Sequence, residues 1–293
     1  MDILYVTYAL DGLLLVAVPI ALGIYLTQKF ELYWRLWWIG AAIFILSQVG
    51  RIPFDNYVTN QLLAKVNSIA ALSANTVLIL SALIIGISAS LWEELLRYAM
   101  FRWWAKDART WRTGFLAGAG HGGMGAIIIG LLVLYNFINM AMVRNADLSK
   151  LVSADQLPFA QAQVTAFWSA PWYSTMNEAV QQLFTIPIQI CFALLVLQTF
   201  IRKQWYWVVL AIGSHTLFEA VRVVSLNLLN AYLVDMVLGV LAIASIVIIY
   251  MLYRTEPPRD LSTELTGPAP TPYRMKAAPS TVEETIKALK EKD

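Results

Sequence analysis

The sequence predicts an all-α, polytopic membrane protein with about seven transmembrane helices. Three observations support this fold class. The 293 residues are 59% hydrophobic and only 14% charged, whereas soluble domains carry about a quarter charged residues. Seven apolar stretches are long enough to cross a bilayer, which takes about 20 residues. Aromatic residues mark the ends of several stretches, where their rings favour the headgroup zone of a membrane.

The apolar stretches account for most of the chain. The first could be mistaken for a signal peptide, but it has no basic region before it and no small-residue cleavage site after it. We therefore expect it to be retained as a helix. The longest loop, at about 142–175, is apolar and aromatic, so we expect it to lie along the membrane interface or to dip into the membrane. The seven stretches lie at roughly 4–27, 34–53, 69–100, 113–140, 176–201, 204–226 and 231–253.

Basic residues are distributed unequally between the loops. Ten lie in the loops that follow the first, third, fifth and seventh stretches, and four lie in the alternate loops. Cytoplasmic loops carry the excess of lysine and arginine. We therefore expect the N-terminus outside and the C-terminus in the cytoplasm, in a multi-pass protein of the plasma (inner) membrane.

Composition divides the chain into two regions. The segment after residue 254 holds six of the eleven prolines and much of the charge. We expect an integral membrane domain at 1–254 and a largely disordered cytoplasmic tail at 255–293, with a short charged helix at TVEETIKALKEK. The formal net charge is only +2 and no basic stripe is present, which excludes nucleic acid as a partner. The lipid bilayer is the predicted partner.

Glu93 and Glu94 are unusual because they lie near the end of the third apolar stretch. An ionisable residue in a membrane helix costs about 2.5–3.5 kcal/mol on insertion scales, so each needs a partner or a function. Arg97 follows one helical turn later, so a salt bridge is the structural alternative. We expect one such pair to satisfy one glutamate and to leave the other unexplained.

The only two histidines also lie in apolar stretches. His121 stands among glycines in GFLAGAGHGGMGAI, where a glycine at every fourth position is typical of close helix packing. Its G-x-G-x-x-G pattern does not predict a dinucleotide site, because no strand precedes it. His215 shares a helix face with Glu219 in SHTLFEAVR, and Arg222 follows. The structural alternatives are a histidine bonded to a neighbouring helix and a Glu219–Arg222 pair beside a structural histidine.

Depth in the membrane brings these residues together. Counted from the predicted cytoplasmic ends of their helices, Glu94, His121 and His215 lie about 10 to 17 Å deep, at 1.5 Å per residue. One carboxylate with two imidazoles is a ligand set of many catalytic zinc sites, which keep a fourth position for water. The sequence therefore predicts a polar layer able to bind a metal.

Three motifs in this layer carry a resemblance to a known family. EELLRY, GAGHGG and SHTLFE resemble the YhfC family of intramembrane metalloproteases, which is similar to the CAAX-protease and bacteriocin-processing superfamily. The resemblance covers roughly 90–220 and implies an intramembrane peptidase with a divalent metal such as zinc. By this resemblance the catalytic residues are Glu93, Glu94 and Arg97, the metal ligands are His121, His215 and Glu94, and the residues around them include Glu219, Gln189 and Gln181.

The chain departs from the family pattern at several positions. The pattern has a glutamate four positions after the glycine-flanked histidine, where this chain has Gly125. A Glu-Arg pair of the pattern corresponds to Gln181 and Gln182, and a further histidine corresponds to Gln189. An amide is a poor metal ligand and cannot act as a base.

Three functions follow as alternatives. The first is a peptidase, metal-dependent or glutamate-type, that cuts a membrane protein or peptide in the cytoplasmic half of the bilayer. The second is a catalytically degenerate relative that serves as a scaffold or accessory subunit for partner membrane subunits. The third is a small transporter with the polar layer as an ion path, but no pair of short, broken helices supports it.

Overall fold

The computed structural model describes residues 3–257, and most of these residues are helical. This range contains nine α-helices and no strand, so the predicted all-α class is confirmed. The predicted tail helix lies outside the described residues. The helices are α1 (Ile3–Phe30), α2 (Arg35–Phe54), α3 (Asn60–Asn67), α4 (Ala74–Ala99), α5 (Trp111–Val143), α6 (Leu157–Ser169), α7 (Asn177–Ile201), α8 (Tyr206–Leu228) and α9 (Ala231–Arg254).

Seven helical segments of the described range are long and apolar enough to cross a membrane. They are built on α1, α2, α4, α5, α7, α8 and α9, which confirms a multi-pass integral membrane protein. The predicted boundaries differ most at α4, which begins at Ala74 and not near residue 69. The cause is local, because the Ser73 side chain caps this helix by accepting a hydrogen bond from the Thr76 amide at 3.2 Å.

The end of α2 is extended by a π-helical turn, Asp55–Thr59, that leads into α3. The Asp55 carboxylate accepts hydrogen bonds from Thr59 Oγ1, at 2.7 Å, and from Ser88 Oγ of α4. It also pairs with Arg51 Nε at 3.1 Å. This network ties α2 to α4, and wide turns of this kind occur frequently at functional sites.

The apolar loop predicted at 142–175 contains α6. The Phe167 carbonyl of α6 accepts a hydrogen bond from Tyr8 Oη of α1 at 3.0 Å. The Trp168 side chain of α6 donates a hydrogen bond from Nε1 to the Met140 carbonyl of α5 at 3.2 Å. These bonds hold α6 against α1 and α5. No residue of α6 is buried, and its position at the membrane interface stays a prediction.

Five helices form a ring in the order α2, α4, α8, α7 and α5, with α1 packed outside α5 and α7, and α9 outside α7 and α8. Glycines allow α5 to approach its neighbours closely. A Cβ atom at Gly118 would lie 2.8 Å from Ile190 Cα, and one at Gly120 would lie 2.7 Å from the Trp37 carbonyl carbon. Carbon atoms attract best at about 3.5–4.0 Å, so any side chain there would separate the helices. The packing role predicted for the glycine at every fourth position is confirmed at Gly118, and Gly120 allows a further close approach, to α2.

Candidate metal and catalytic centre

Three helices of the ring bring the predicted polar residues together. Glu93 and Glu94 come from α4, His121 from α5 and His215 from α8, and none of the four is more than 4% exposed. The segment that contains α4 continues as a π-helical turn to Trp104. Counted from Trp104, Trp111 and Tyr206, the ends on the predicted cytoplasmic side, the four residues lie about 14 to 17 Å deep at 1.5 Å per residue. A hydrocarbon core is about 30 Å thick, so a position of the group near its middle stays a prediction.

Glu93 directs its two carboxylate oxygens into different surroundings. Oε2 faces the helix ring, 3.1 Å from His121 Nε2 and 4.0 Å from His215 Nε2, and it accepts from Arg97 Nη2 at 3.2 Å. Oε1 lies on the other side, 3.4 Å from Gln48 Nε2. One oxygen is thus part of the buried ionic cluster, while the other has a single weak contact.

Glu94 has one bonded oxygen and one free oxygen. Its Oε1 accepts from Arg97 Nη1 and lies 2.6 Å from His215 Nδ1. Within residues 3–257, Glu94 Oε2 has no hydrogen-bond partner, and the same is true of His215 Nε2 and His121 Nδ1. An unsatisfied buried polar group costs about 1–3 kcal/mol, so these atoms indicate that the site accommodates a further partner such as an ion or water.

Arg97 is fully buried and bonds both glutamates and also Gln189, whose Oε1 accepts from Nη2. The expectation that a salt bridge would leave one glutamate unexplained is therefore wrong. The physical reason is the guanidinium, which presents five donors in a planar fork and reaches several acceptors. With neutral imidazoles, two carboxylates and one guanidinium leave one negative charge, and an uncompensated buried charge is costly.

This charge and the free atoms fit a divalent cation. Glu93, Glu94 and His215 each offer one ligand atom, and the three atoms lie within 4.8 Å of one another. Carboxylate oxygen and imidazole nitrogen are both zinc ligands, at about 2.0–2.2 Å, so the ligand atoms of one ion lie within about 4.4 Å of one another. This is slightly less than the 4.8 Å that bounds the group here, and binding would draw the side chains together. His121 lies outside this group and faces Glu93. The predicted ligand was His121, but in the structure Glu93 lies closer to Glu94 and His215 than His121 does.

A polar cavity of about 250 Å³ lies beside Glu93, inside the helix ring. Glu219 lines it and pairs with Arg222 at 3.2 Å, so that predicted ion pair is confirmed. Glu219 and Gln181 line this cavity and lie apart from the buried cluster. Gln189 lines the cavity and also bonds Arg97 of the cluster. The polar cavity is lined by Gln48, Arg51, Gln181, Gln182, Thr185 and Arg222, among others.

The positions that depart from the family pattern meet in this polar cavity. Gly125, Gln181, Gln182 and Gln189 all line it, although they come from two helices. This shared location supports the alignment of the glutamines with the family positions. It also means that the substitutions change the lining of the cavity more than the Glu93–Glu94–His215 group.

Gln48 of α2 is a contact of the site that sequence reasoning missed. Its only signal is a lone amide in an apolar stretch, one turn after Phe44. Both residues face the site, since the Phe44 ring packs edge-on against the His121 ring at 5.3 Å and Gln48 approaches Glu93. The rotation of α2 that produces this face is not visible in a stretch that is apolar on all sides.

Comparisons with known proteins gave matches over most of the chain. The sequence pattern of the YhfC intramembrane metalloprotease family matches residues 14–255. A protein of Bacillus subtilis (strain 168), described as the uncharacterized membrane protein YhfC, is 29% identical over 221 residues, which cover 72% of this chain and 81% of that protein. A comparison with solved structures gave no significant match.

Proposed function

Because the chain belongs to the YhfC intramembrane metalloprotease family, we propose that it is a membrane-embedded endopeptidase that hydrolyses a peptide bond beside Glu93. The observation that carries this proposal is the buried Glu93–Glu94–His215 group, whose ligand atoms lie within 4.8 Å of one another next to a polar cavity. The substrate is a membrane protein or peptide, cut near the middle of the bilayer on its cytoplasmic side.

In this proposal Glu93, Glu94 and His215 hold a divalent metal, and zinc suits their donor atoms. When bound, such an ion polarises the scissile carbonyl and a water molecule as a Lewis acid. Arg97 keeps the two carboxylates in place through bonds to both. His121, 3.1 Å from Glu93 Oε2, orients that carboxylate, because partners behind a metal ligand fix its direction.

Glu93 takes the proton from the attacking water through Oε1, while Oε2, the oxygen within the buried cluster, is the one that would hold the metal. A general base must lie within hydrogen-bond reach of that water, and Glu93 lines the polar cavity whereas Glu94 is fully buried. Its Oε1 has only the 3.4 Å contact with Gln48, so this oxygen is free to accept. Glu94 instead holds His215, through the 2.6 Å contact with Nδ1.

The test compares the native protein with Glu93→Gln and His215→Ala in cells. New peptide termini in membrane proteins should appear with the native protein and be absent with both variants. Zinc, measured by elemental analysis after purification, should be bound by the native protein and lost with His215→Ala. If no terminus depends on Glu93, the peptidase proposal is wrong.

A catalytically degenerate scaffold is the second candidate. The observation that favours it is Arg97, which bonds Glu93, Glu94 and Gln189 together and gives the cluster a structural role without chemistry. A scaffold would purify without stoichiometric metal and would bring partner membrane subunits with it. Glu93→Gln would then leave that co-purification and the set of membrane-protein termini unchanged.

A further inference from the structure

The polar cavity has one closed end. On the predicted cytoplasmic side of the site, tightly packed side chains fill the ring, and Met100, Phe101, Leu116 and Leu197 are at most 1% exposed. Glu93 precedes Met100 in the same helical segment, so these packed side chains lie between Glu93 and the predicted cytoplasmic end. Water from the end of the bundle that carries the α9 C-terminus would have to cross about 14 to 17 Å of packed helix to reach Glu93.

The other end of the polar cavity approaches the opposite face of the bundle. Arg51 is close to the C-terminal end of α2, Gln181 to the N-terminal end of α7, and Arg222 to the C-terminal end of α8. These helix ends share one face because successive spans alternate in direction. We call this face the α7-start face, and it is the predicted external side.

The lining of the polar cavity requires an occupant. Empty cavities in proteins are apolar, and a polar space of about 250 Å³ is large enough for several waters. The lining includes two arginines and four glutamines.

Glutamines suit an unwound peptide. A peptide bond can be cleaved only after it leaves the helix, and its freed N–H and C=O groups need partners inside a membrane. A glutamine amide offers both donors and an acceptor, which matches a peptide group. Gln48, Gln181 and Gln182 line the space between the α7-start face and Glu93.

We propose that the polar cavity is the route by which water and an extended peptide segment reach Glu93 from the α7-start face. The peptide part rests on the proposed peptidase function, whereas the water route does not. In this proposal Glu93 lies near the middle of the membrane, and water and peptide reach it from the side opposite the C-terminal end of α9.

Cysteine labelling tests the water route. The native protein has a single cysteine, Cys191, which is 2% exposed and should stay unlabelled by a charged, membrane-impermeant methanethiosulfonate. Thr185→Cys, in the polar cavity, should react from the same side as Ser153→Cys, which marks the α7-start face. Leu183→Cys lies at almost the same depth on the outer surface of α7 and should not react, because the charged reagent does not enter lipid.

A second marker identifies the result that would contradict the water route. Lys106→Cys, in the loop before α5, marks the other face of the bundle. If Thr185→Cys reacts from the side of Lys106→Cys, or fails to react from either side, the proposed route is wrong. These markers make the test independent of the orientation of the protein in the membrane.

A blocking substitution tests the peptide part. Thr185→Trp should fill the polar cavity and abolish cleavage while zinc content stays native, and the matched Leu183→Trp should retain cleavage. Native cleavage by Thr185→Trp would refute the peptide route and leave the peptidase intact. If the native protein cleaves nothing, the peptidase proposal and the peptide route fail together, and the labelling still decides the water route.

Discussion

Removing Arg97 should make the fold depend on a bound cation. Arg97 is 0% exposed and bonds two carboxylates and one amide oxygen. Breaking a buried ion pair costs about 3–5 kcal/mol, and an orphaned amide oxygen adds about 1–3 kcal/mol. Arg97→Met should therefore lose about 4–8 kcal/mol of unfolding free energy without metal, which lowers the midpoint by about 10 °C or more.

Zinc should restore much of this loss, because the variant site has two negative charges and no guanidinium. A ligand at 100 times its dissociation constant adds about 2.7 kcal/mol, and each tenfold gain in affinity adds about 1.4 kcal/mol. Unfolding followed by tryptophan fluorescence, with zinc or with a chelator, measures both effects. The zinc-dependent shift should be larger in Arg97→Met than in the native protein, and smaller in Arg97→Lys, which keeps the charge.

A matched control removes an exposed arginine. Arg35 pairs with Asp107 at 2.9 Å, but the two side chains are 57% and 64% exposed, and exposed pairs contribute about 0–1 kcal/mol. Arg35→Met should therefore unfold almost as the native protein does, with the same response to zinc. Equal zinc shifts in Arg97→Met and native protein, or none in either, would refute a cation site at these carboxylates.

Three further predictions follow from the fold and the site. Gln189→His should raise zinc affinity by about 10–100-fold, the size of effect that partners of metal ligands produce, because residue 189 faces the cluster; unchanged affinity in a competition assay would contradict this. Cysteine labels at Ser153 and Ser280 should react from opposite sides of the membrane, and reaction from one side would overturn the predicted topology. Gly118→Leu should prevent stable folding, measured by thermal unfolding. Gly213→Leu should be tolerated, since a Cβ at Gly213 meets nothing within 4 Å. Equal behaviour of the two variants would show that close packing at Gly118 is unimportant.

Properties that depend on local sequence could be predicted well. The spanning helices follow from apolar length, and their ends agree with the structure to a few residues. Depth along a helix is also local, because each residue adds about 1.5 Å. Counting residues therefore placed Glu94, His121 and His215 in one layer, and the structure has them there.

Rotation of each helix about its axis could not be predicted. The spans are apolar on nearly all sides, so hydrophobic periodicity does not identify the face that points inward. Depth alone favoured His121 as a metal ligand, whereas rotation directs it at Glu93 and leaves Glu93 within reach of Glu94 and His215. Gln48 and the opening direction of the polar cavity could not be predicted for the same reason, because both depend on how the five helices of the ring are rotated against one another.

Rotation also explains why two glutamates remain adjacent. Successive residues of an α-helix point about 100° apart, at 3.6 residues per turn, so neighbouring glutamates reach different helices. Glu93 turns toward α2 and α5, where it meets Gln48 and His121, and Glu94 turns toward His215 of α8. Arg97, at i+4 and i+3, lies below both and bonds both. Because the glutamates are adjacent, one helical turn presents one carboxylate to each of two histidines, while a single guanidinium bonds both carboxylates. Glutamates two residues apart would lose one of these contacts.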